Sequence, residues 1–137
     1  MPTEYEGGCH CGSVRYSCSA APEYTFYCHC SDCQRTAGSP FFVELMISSG
    51  SFELRGELDT YTVTGDSGKP VHRRFCPKCG SGIYLDCVAD PGYVFLKAGT
   101  LDDASWVKPD MHIYAAAKQP WIDLGDTLPK YETVPEE

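Results

Sequence analysis

Apolar and polar residues alternate in short runs along most of this chain, broken by glycine, proline and other turn formers. That period-2 pattern marks half-buried strands. Val14, Tyr16 and Cys18 alternate with Arg15 and Ser17, predicting a strand over 14–18. An aromatic-rich run follows at 24–28, and segments 41–47, 52–54 and 58–64 read as three further strands. Segments 71–75, 83–87, 93–98 and 111–116 complete the set, with Gly65-Asp66-Ser67-Gly68 as a tight turn. Helical patterning is scarce. One short turn of helix is predicted at 31–35, where Ser31 and Gln34 stand at capping-box spacing and Gly38 can stop it. It would place Cys33 in a first turn, where the helix dipole favours a thiolate. Asp102-Asp103 is expected to open a second. The predicted fold class is mainly β: small sheets, one or two short helical turns, and a single domain over 1–137.

Composition narrows the function. The 137 residues carry 11 Lys+Arg against 19 Asp+Glu, a net charge of −8. Nucleic-acid binders need basic residues to neutralise phosphates, and no basic stripe is present. No apolar run reaches the roughly 20 residues of a membrane helix. The opening Met1-Pro2-Thr3-Glu4 lacks the basic start of a signal peptide. A cytoplasmic, reducing location with no membrane partner is the expectation.

Nine cysteines are too many for an ordinary intracellular domain unless they bind metal. They fall as Cys9-x-Cys11, Cys28-x-Cys30-x-x-Cys33 and Cys76-x-x-Cys79, with Cys18 and Cys87 alone. Such spacings can put two sulfurs on one ion about 2.3 Å away, and clustered soft thiolates suit zinc first, with iron–sulfur the rival. Spacing alone does not fix the grouping, but local chemistry helps. Cys76-Pro77-Lys78-Cys79-Gly80 has a zinc-knuckle pattern, and Cys9-His10-Cys11-Gly12 also ends in glycine. Pairing them gives a closed four-cysteine site, a structural staple.

Cys28, Cys30 and Cys33 are then left as a trio. Three protein ligands leave a tetrahedral zinc one open position, the mark that separates catalytic from structural sites. The competing possibility is closure by Cys18, Cys87 or His29. His29 would face away from its neighbours in an extended chain, and Cys18 and Cys87 suit buried packing. A site one ligand short also loses metal readily, so the second zinc is expected to be partly occupied. Arg15, Arg35, Arg73, Arg74 and Lys78 are available to offset the thiolate charge. Three thiolates blunt a zinc's Lewis acidity, which favours holding an incoming thiol over making hydroxide.

The motifs run in a distinctive order. Gly8-Cys9-His10-Cys11-Gly12-Ser13-Val14-Arg15-Tyr16 precedes Cys28-His29-Cys30-Ser31-x-Cys33 and Phe75-Cys76-x-x-Cys79-Gly80. Gly99-Thr100-Leu101-Asp102-Asp103, Pro109-x-Met111-His112-Ile113, Lys118-x-x-Trp121 and Leu128-Pro129-x-Tyr131 follow. From Gly8 to Tyr131 the chain resembles the glutathione-dependent formaldehyde-activating enzyme family, also named after centromere protein V. The resemblance implies a β-tent fold stapled by a structural zinc on Cys9, Cys11, Cys76 and Cys79. It implies a catalytic zinc on Cys28, Cys30 and Cys33. The implied reaction is a carbon–sulfur lyase's: glutathione adds to formaldehyde, giving S-(hydroxymethyl)glutathione.

Other side chains carry less. Phe41, Phe42 and Trp121 are candidate pocket walls, although core packing is the commoner fate of such aromatics. His112 reads as a satisfied histidine on a strand before it reads as an acid or base, and His72 reads as surface. Two further functions stand beside the enzyme. A closed trio would make the domain a scaffold for a basic protein partner. Cys87 as an activated thiol would make it a redox enzyme, against which its neighbour Asp86 argues.

Overall fold

The computed structural model describes residues 1–135. Among them the chain is mainly β, as the patterning predicts. In order come β1 (Tyr5–Gly8), β2 (Arg15–Cys18), β3 (Tyr24–Cys28), helix α1 (Ser31–Ala37), β4 (Phe42–Ser48) and β5 (Phe52–Arg55). Then come β6 (Asp59–Thr64), β7 (Pro70–Phe75), β8 (Gly82–Cys87), β9 (Tyr93–Lys97) and β10 (Met111–Ile113). Short 3₁₀ turns at Ser49–Ser51, Ala98–Thr100 and Ala115–Ala117 link some of these. No helix among the described residues is long and apolar enough to cross a membrane.

The strands form two sheets. One has the order β1-β2-β5; the other runs β10-β3-β4-β9-β8-β7-β6. All pairings are antiparallel except β10 with β3. Strand alternation gives the larger sheet two apolar faces. Leu45, Ile47, Ile83 and Leu96 pack with Val14 and Tyr16 of the small sheet. Phe26, Cys28, Leu85, Phe95 and Ile113 form a second cluster with Cys33 of α1.

A bulge lets β8 serve both clusters. Arg74 pairs with Tyr84 while Phe75 pairs with Gly82, so Ile83 is the extra residue. The bulge flips the side-chain alternation, sending Ile83 to the first cluster and Leu85 to the second.

One strand escapes the sequence pattern and two expectations are corrected. The strand β1 escapes the sequence pattern because Gly7-Gly8 lies within it, and glycine is a poor strand former. Its reason is space: a Cβ at Gly7 would overlap the Tyr16 hydroxyl and the Thr100 carbonyl. The last strand stops at Ile113 instead of 116, because Tyr114 takes a left-handed conformation at φ 53°. No helix opens at Asp102-Asp103. Asp102 instead pairs with Arg15, and Asp103 accepts hydrogen bonds from Ser105.

Candidate functional site

The Cys9 and Cys11 turn follows β1, and the Cys76–Cys79 turn joins β7 to β8. The fold brings these turns together, so the four sulfurs lie within 4.8 Å of one another. Cys9 Sγ is 3.6 Å from Cys11 Sγ, and Cys11 Sγ is 3.8 Å from Cys76 Sγ. A tetrahedron of sulfurs 2.3 Å from a central zinc has edges of about 3.8 Å, so this donor set fits such an ion. Backbone and hydroxyl donors already face the sulfurs. The Val14 N–H donates to Cys9 Sγ at 3.2 Å. Cys9 is half-way to a thiolate at about pH 7: burial raises it, and the Val14 N–H and Ser13 outweigh that. The Ser81 hydroxyl and N–H draw Cys79 down to about 5.

Cys28, Cys30 and Cys33 form the second group, again within 4.8 Å. Cys28 closes β3, and Cys30 precedes α1. Here the local prediction is corrected. The cap of α1 is Cys30 in place of Ser31, its sulfur accepting the Cys33 N–H at 3.1 Å. Gln34 makes no capping box: its amide donates to the carbonyls of His29 at 2.7 Å and Ala117 at 2.9 Å. Gly38 does end the helix in the left-handed conformation.

Within the trio Cys30 is the thiol most favoured to ionise, ahead of Cys33 in the first helical turn. Hydrogen bonds from Cys28 and Cys33 hold Cys30 down to about 3, helped by the Cys33 N–H and Arg73. Donating to Cys30, then to Cys33, and burial push Cys28 far above the usual thiol range. The bond from Cys28 lowers Cys33, but its bond to Cys30 and its burial outweigh that. Three convergent sulfurs, one of them strongly favoured as thiolate, suit a soft cation. Cys28 and Cys33 are 3.0 Å apart, so a small separation of that pair admits one.

The trio lines a cavity of about 270 Å³ whose floor is one face of the larger sheet. Cys28, Glu44, Phe95, Leu85 and Arg73 reach it from five adjacent strands. Glu44 and Arg73 are buried, and Arg73 is only 8% exposed. The Arg73 guanidinium is 4.0 Å from Cys33 Sγ and donates to Thr36 Oγ1 at 3.2 Å. Its Nε has no partner among the described residues. Burial, with the nearby Cys30 charge, pushes Glu44 up to about 8. Lys97 lies opposite Glu44 on β9, over the Phe42 ring at 4.4 Å, and burial lowers its ammonium.

Among the five cations proposed to offset thiolate charge, Arg73 alone touches a ligand sulfur among the described residues. Arg15 and Arg74 pair with Asp102 and Asp86 instead. Glu44 was missed from sequence, although a lone charge inside the apolar run 41–47 is a readable signal. Phe42 is core, Phe41 packs edge-on against Tyr27, and Trp121 is 68% exposed. None of the three lines the trio's cavity; Phe95 does.

The possible fourth ligands are placed as follows. None of Cys18, Cys87 and His29 joins the trio's group. Cys18 is buried in the first cluster. Cys87 lines the cavity, and burial, then the charge of Glu44, pushes its thiol up to about 12, which makes it a poor nucleophile. His29 turns to the opposite side, where Nε2 lies 2.8 Å from His112 Nδ1. His112 Nε2 in turn faces Asp126, 3.0 and 3.1 Å from its two oxygens. His112 is thus a satisfied, buried histidine, and His72 bonds Thr62 at 2.9 Å near the surface.

Comparison with known proteins shows what the whole chain is similar to. A Halomonas elongata protein is 28% identical over 133 residues, covering 87% of this chain and 80% of its own. A Talaromyces marneffei protein is 25% identical over 114 residues, 80% of this chain and 60% of its own. Both carry, provisionally, the name glutathione-dependent formaldehyde-activating enzyme. The crystal structure of a Rhodobacter sphaeroides protein shares the fold, with a TM-score of 0.57 and 21% identity. That match covers 92% of this chain and 99% of the other. The family model for the glutathione-dependent formaldehyde-activating enzyme matches residues 4–117, and the chain belongs to that family.

Proposed function

We propose that this chain adds glutathione to formaldehyde, giving S-(hydroxymethyl)glutathione, as a zinc-dependent carbon–sulfur lyase. The observation that carries the reading is the trio of cysteines opening into a cavity, one donor fewer than the stapled four. Cys9, Cys11, Cys76 and Cys79 would hold a structural zinc; Cys28, Cys30 and Cys33 would hold the catalytic one. When bound there, zinc supplies a position at which a substrate thiol is kept as thiolate beside the aldehyde.

The reaction forms one S–C bond and breaks the C=O π bond, and the thiol's proton ends on the new hydroxyl. The chain's own residues orient the reactants and manage that proton. Glu44, protonated at neutral pH, stands on the cavity wall to give a proton to the developing alkoxide and regain one from the thiol. Arg73 balances the negative charge of the sulfurs. Leu85 and Phe95 keep the floor apolar, which strengthens both effects. Thiols add to formaldehyde unaided, so positioning two reactants supplies the required acceleration.

The test is exchange NMR on isotope-labelled formaldehyde with glutathione, comparing zinc-loaded protein with Cys30→Ser. Faster exchange with the parent alone is expected. Equal rates with the second zinc confirmed in place would refute the assignment.

A further inference from the structure

The trio's cavity is small for a whole tripeptide thiol. At about 270 Å³ it falls below the roughly 300–1,000 Å³ of sites that enclose drug-sized ligands. It is large enough for a thiol-bearing methylene and formaldehyde, so the remainder of the substrate must leave through the rim.

The cavity mouth itself is acidic: Asp32, Asp66 and Asp90 line it and all three are exposed. Ser31 and Ala117 belong both to the cavity and to a neighbouring groove of about 510 Å³. That groove contains Arg35 and Trp121. Arg35 is exposed and has no ion-pair or hydrogen-bond partner among the described residues. Trp121 is 68% exposed, a large apolar surface that the fold leaves uncovered beside a free cation.

We propose that the groove from Ser31 and Ala117 to Arg35 and Trp121 is the subsite for the anionic, peptide-like tail of the thiol substrate. The inference rests on the thiol-addition reading and adds its specificity determinant. Arg35 meets a terminal carboxylate, and the Trp121 ring lies against the amide chain leading to it. The exposed aspartates at the cavity mouth disfavour that carboxylate there, so the groove's cation draws the tail past them. A thiol without a tail reaches the cysteines but gains nothing from the groove.

The experiment compares glutathione with 2-mercaptoethanol, which lacks a tail, in the formaldehyde exchange assay. Each catalysed rate is divided by the uncatalysed rate for that thiol. Arg35→Gln and Trp121→Ala should each lower the glutathione preference in kcat/KM by about tenfold, through KM. Unchanged preference in both variants would overturn the subsite. Binding is read independently by tryptophan fluorescence with unreactive S-methylglutathione. Quenching that disappears in Trp121→Phe and weakens about tenfold in Arg35→Gln supports the subsite, with Trp106 as the remaining reporter. If the parent accelerates neither thiol, the reaction assignment falls, and this titration alone decides the subsite. Quenching unchanged by both substitutions, or no binding at all, would overturn it.

Discussion

His29 Nε2 lies 2.8 Å from His112 Nδ1, so the residue between two of the trio's cysteines is tied to the C-terminal segment of the chain. The two rings lie end to end, 18° from coplanar with centroids 5.0 Å apart, as that bond requires, and Tyr27 stacks on His112 at 4.7 Å. Asp126 can only accept, so His112 Nε2 carries a hydrogen towards it. The His29 N–H of the backbone adds a bond to Ile113 at 3.1 Å. The 28–30 segment is thus pinned on both backbone and ring. Asp126 lies beyond the 4–117 span that the family shares.

Breaking this tie should loosen the trio without touching the stapled four. Asp126→Asn and His112→Gln are each expected to weaken zinc at the trio about tenfold, at the lower end of what supporting partners of metal ligands contribute. A chelator competition that resolves the two sites would show it. Equal affinity at the trio in parent and variants would mean the tie is structural only.

Acid sensitivity follows from the same ring. Burial, then the neighbouring His112, lowers His29 from 6.5 to about 4. The folded state therefore binds fewer protons than the unfolded chain between those values. The stability from neutral His29 is complete above pH 6.5 and is lost as pH falls towards 4. Thermal midpoints should drop more steeply across that window in the parent than in His29→Gln. Thiolate protonation affects both proteins alike, so parallel curves would exclude His29 as the source.

What the sequence disclosed depended on whether the signal was local. The cysteine spacings, the turn glycines and most strands were legible because each rests on neighbouring residues. The helix cap was read one residue late, because a cysteine sulfur took the role expected of Ser31. The wall of the cavity was not legible. Glu44, Leu85 and Phe95 lie on three strands that meet only through the order of the larger sheet. The strand β1 was hidden for a related reason: its glycines answer to Tyr16 and Thr100, far along the chain.

Arg73 should matter for folding as well as chemistry. It is the buried cation coupled to the Cys30 charge, 4.0 Å from Cys33 Sγ. Replacing it by methionine keeps the packing volume and leaves negative charge without its partner. Loss of one member of a buried pair costs roughly 3–5 kcal/mol. Urea unfolding of Arg73→Met should show a loss of that size, and Arg73→Lys a smaller one. A change under about 1 kcal/mol in the methionine variant would mean that the charge is balanced elsewhere.

The two cysteine groups should respond differently to ligand loss. Cys11 and Cys76 are 65 residues apart in sequence, so an ion on the stapled four ties the small sheet to the larger one. The trio lies within one short segment and closes almost no loop. Cys79→Ser should therefore lower the thermal midpoint far more than Cys33→Ser, and metal removal should reproduce the larger effect. Equal shifts would place the structural burden on both groups.

One substitution made at two glycines separates close packing from glycine's general flexibility. Gly7 faces Tyr16 across the β1–β2 pair, and the Tyr16 hydroxyl bonds Thr100 Oγ1 at 2.7 Å. A methyl at Gly7 would overlap both that hydroxyl and the Thr100 carbonyl. Trimming Tyr16 to phenylalanine cannot relieve this, because the carbonyl remains. At Gly99 a Cβ would meet nothing within 4 Å, and the backbone is not left-handed. Alanine there mainly restricts the unfolded chain, which is neutral or slightly stabilising. Gly7→Ala should cost at least the roughly 1–3 kcal/mol of core overpacking, while Gly99→Ala leaves the denaturation midpoint unchanged or raised. Similar losses at both positions would show that flexibility, and not the contact between β1 and Thr100, is what glycine supplies.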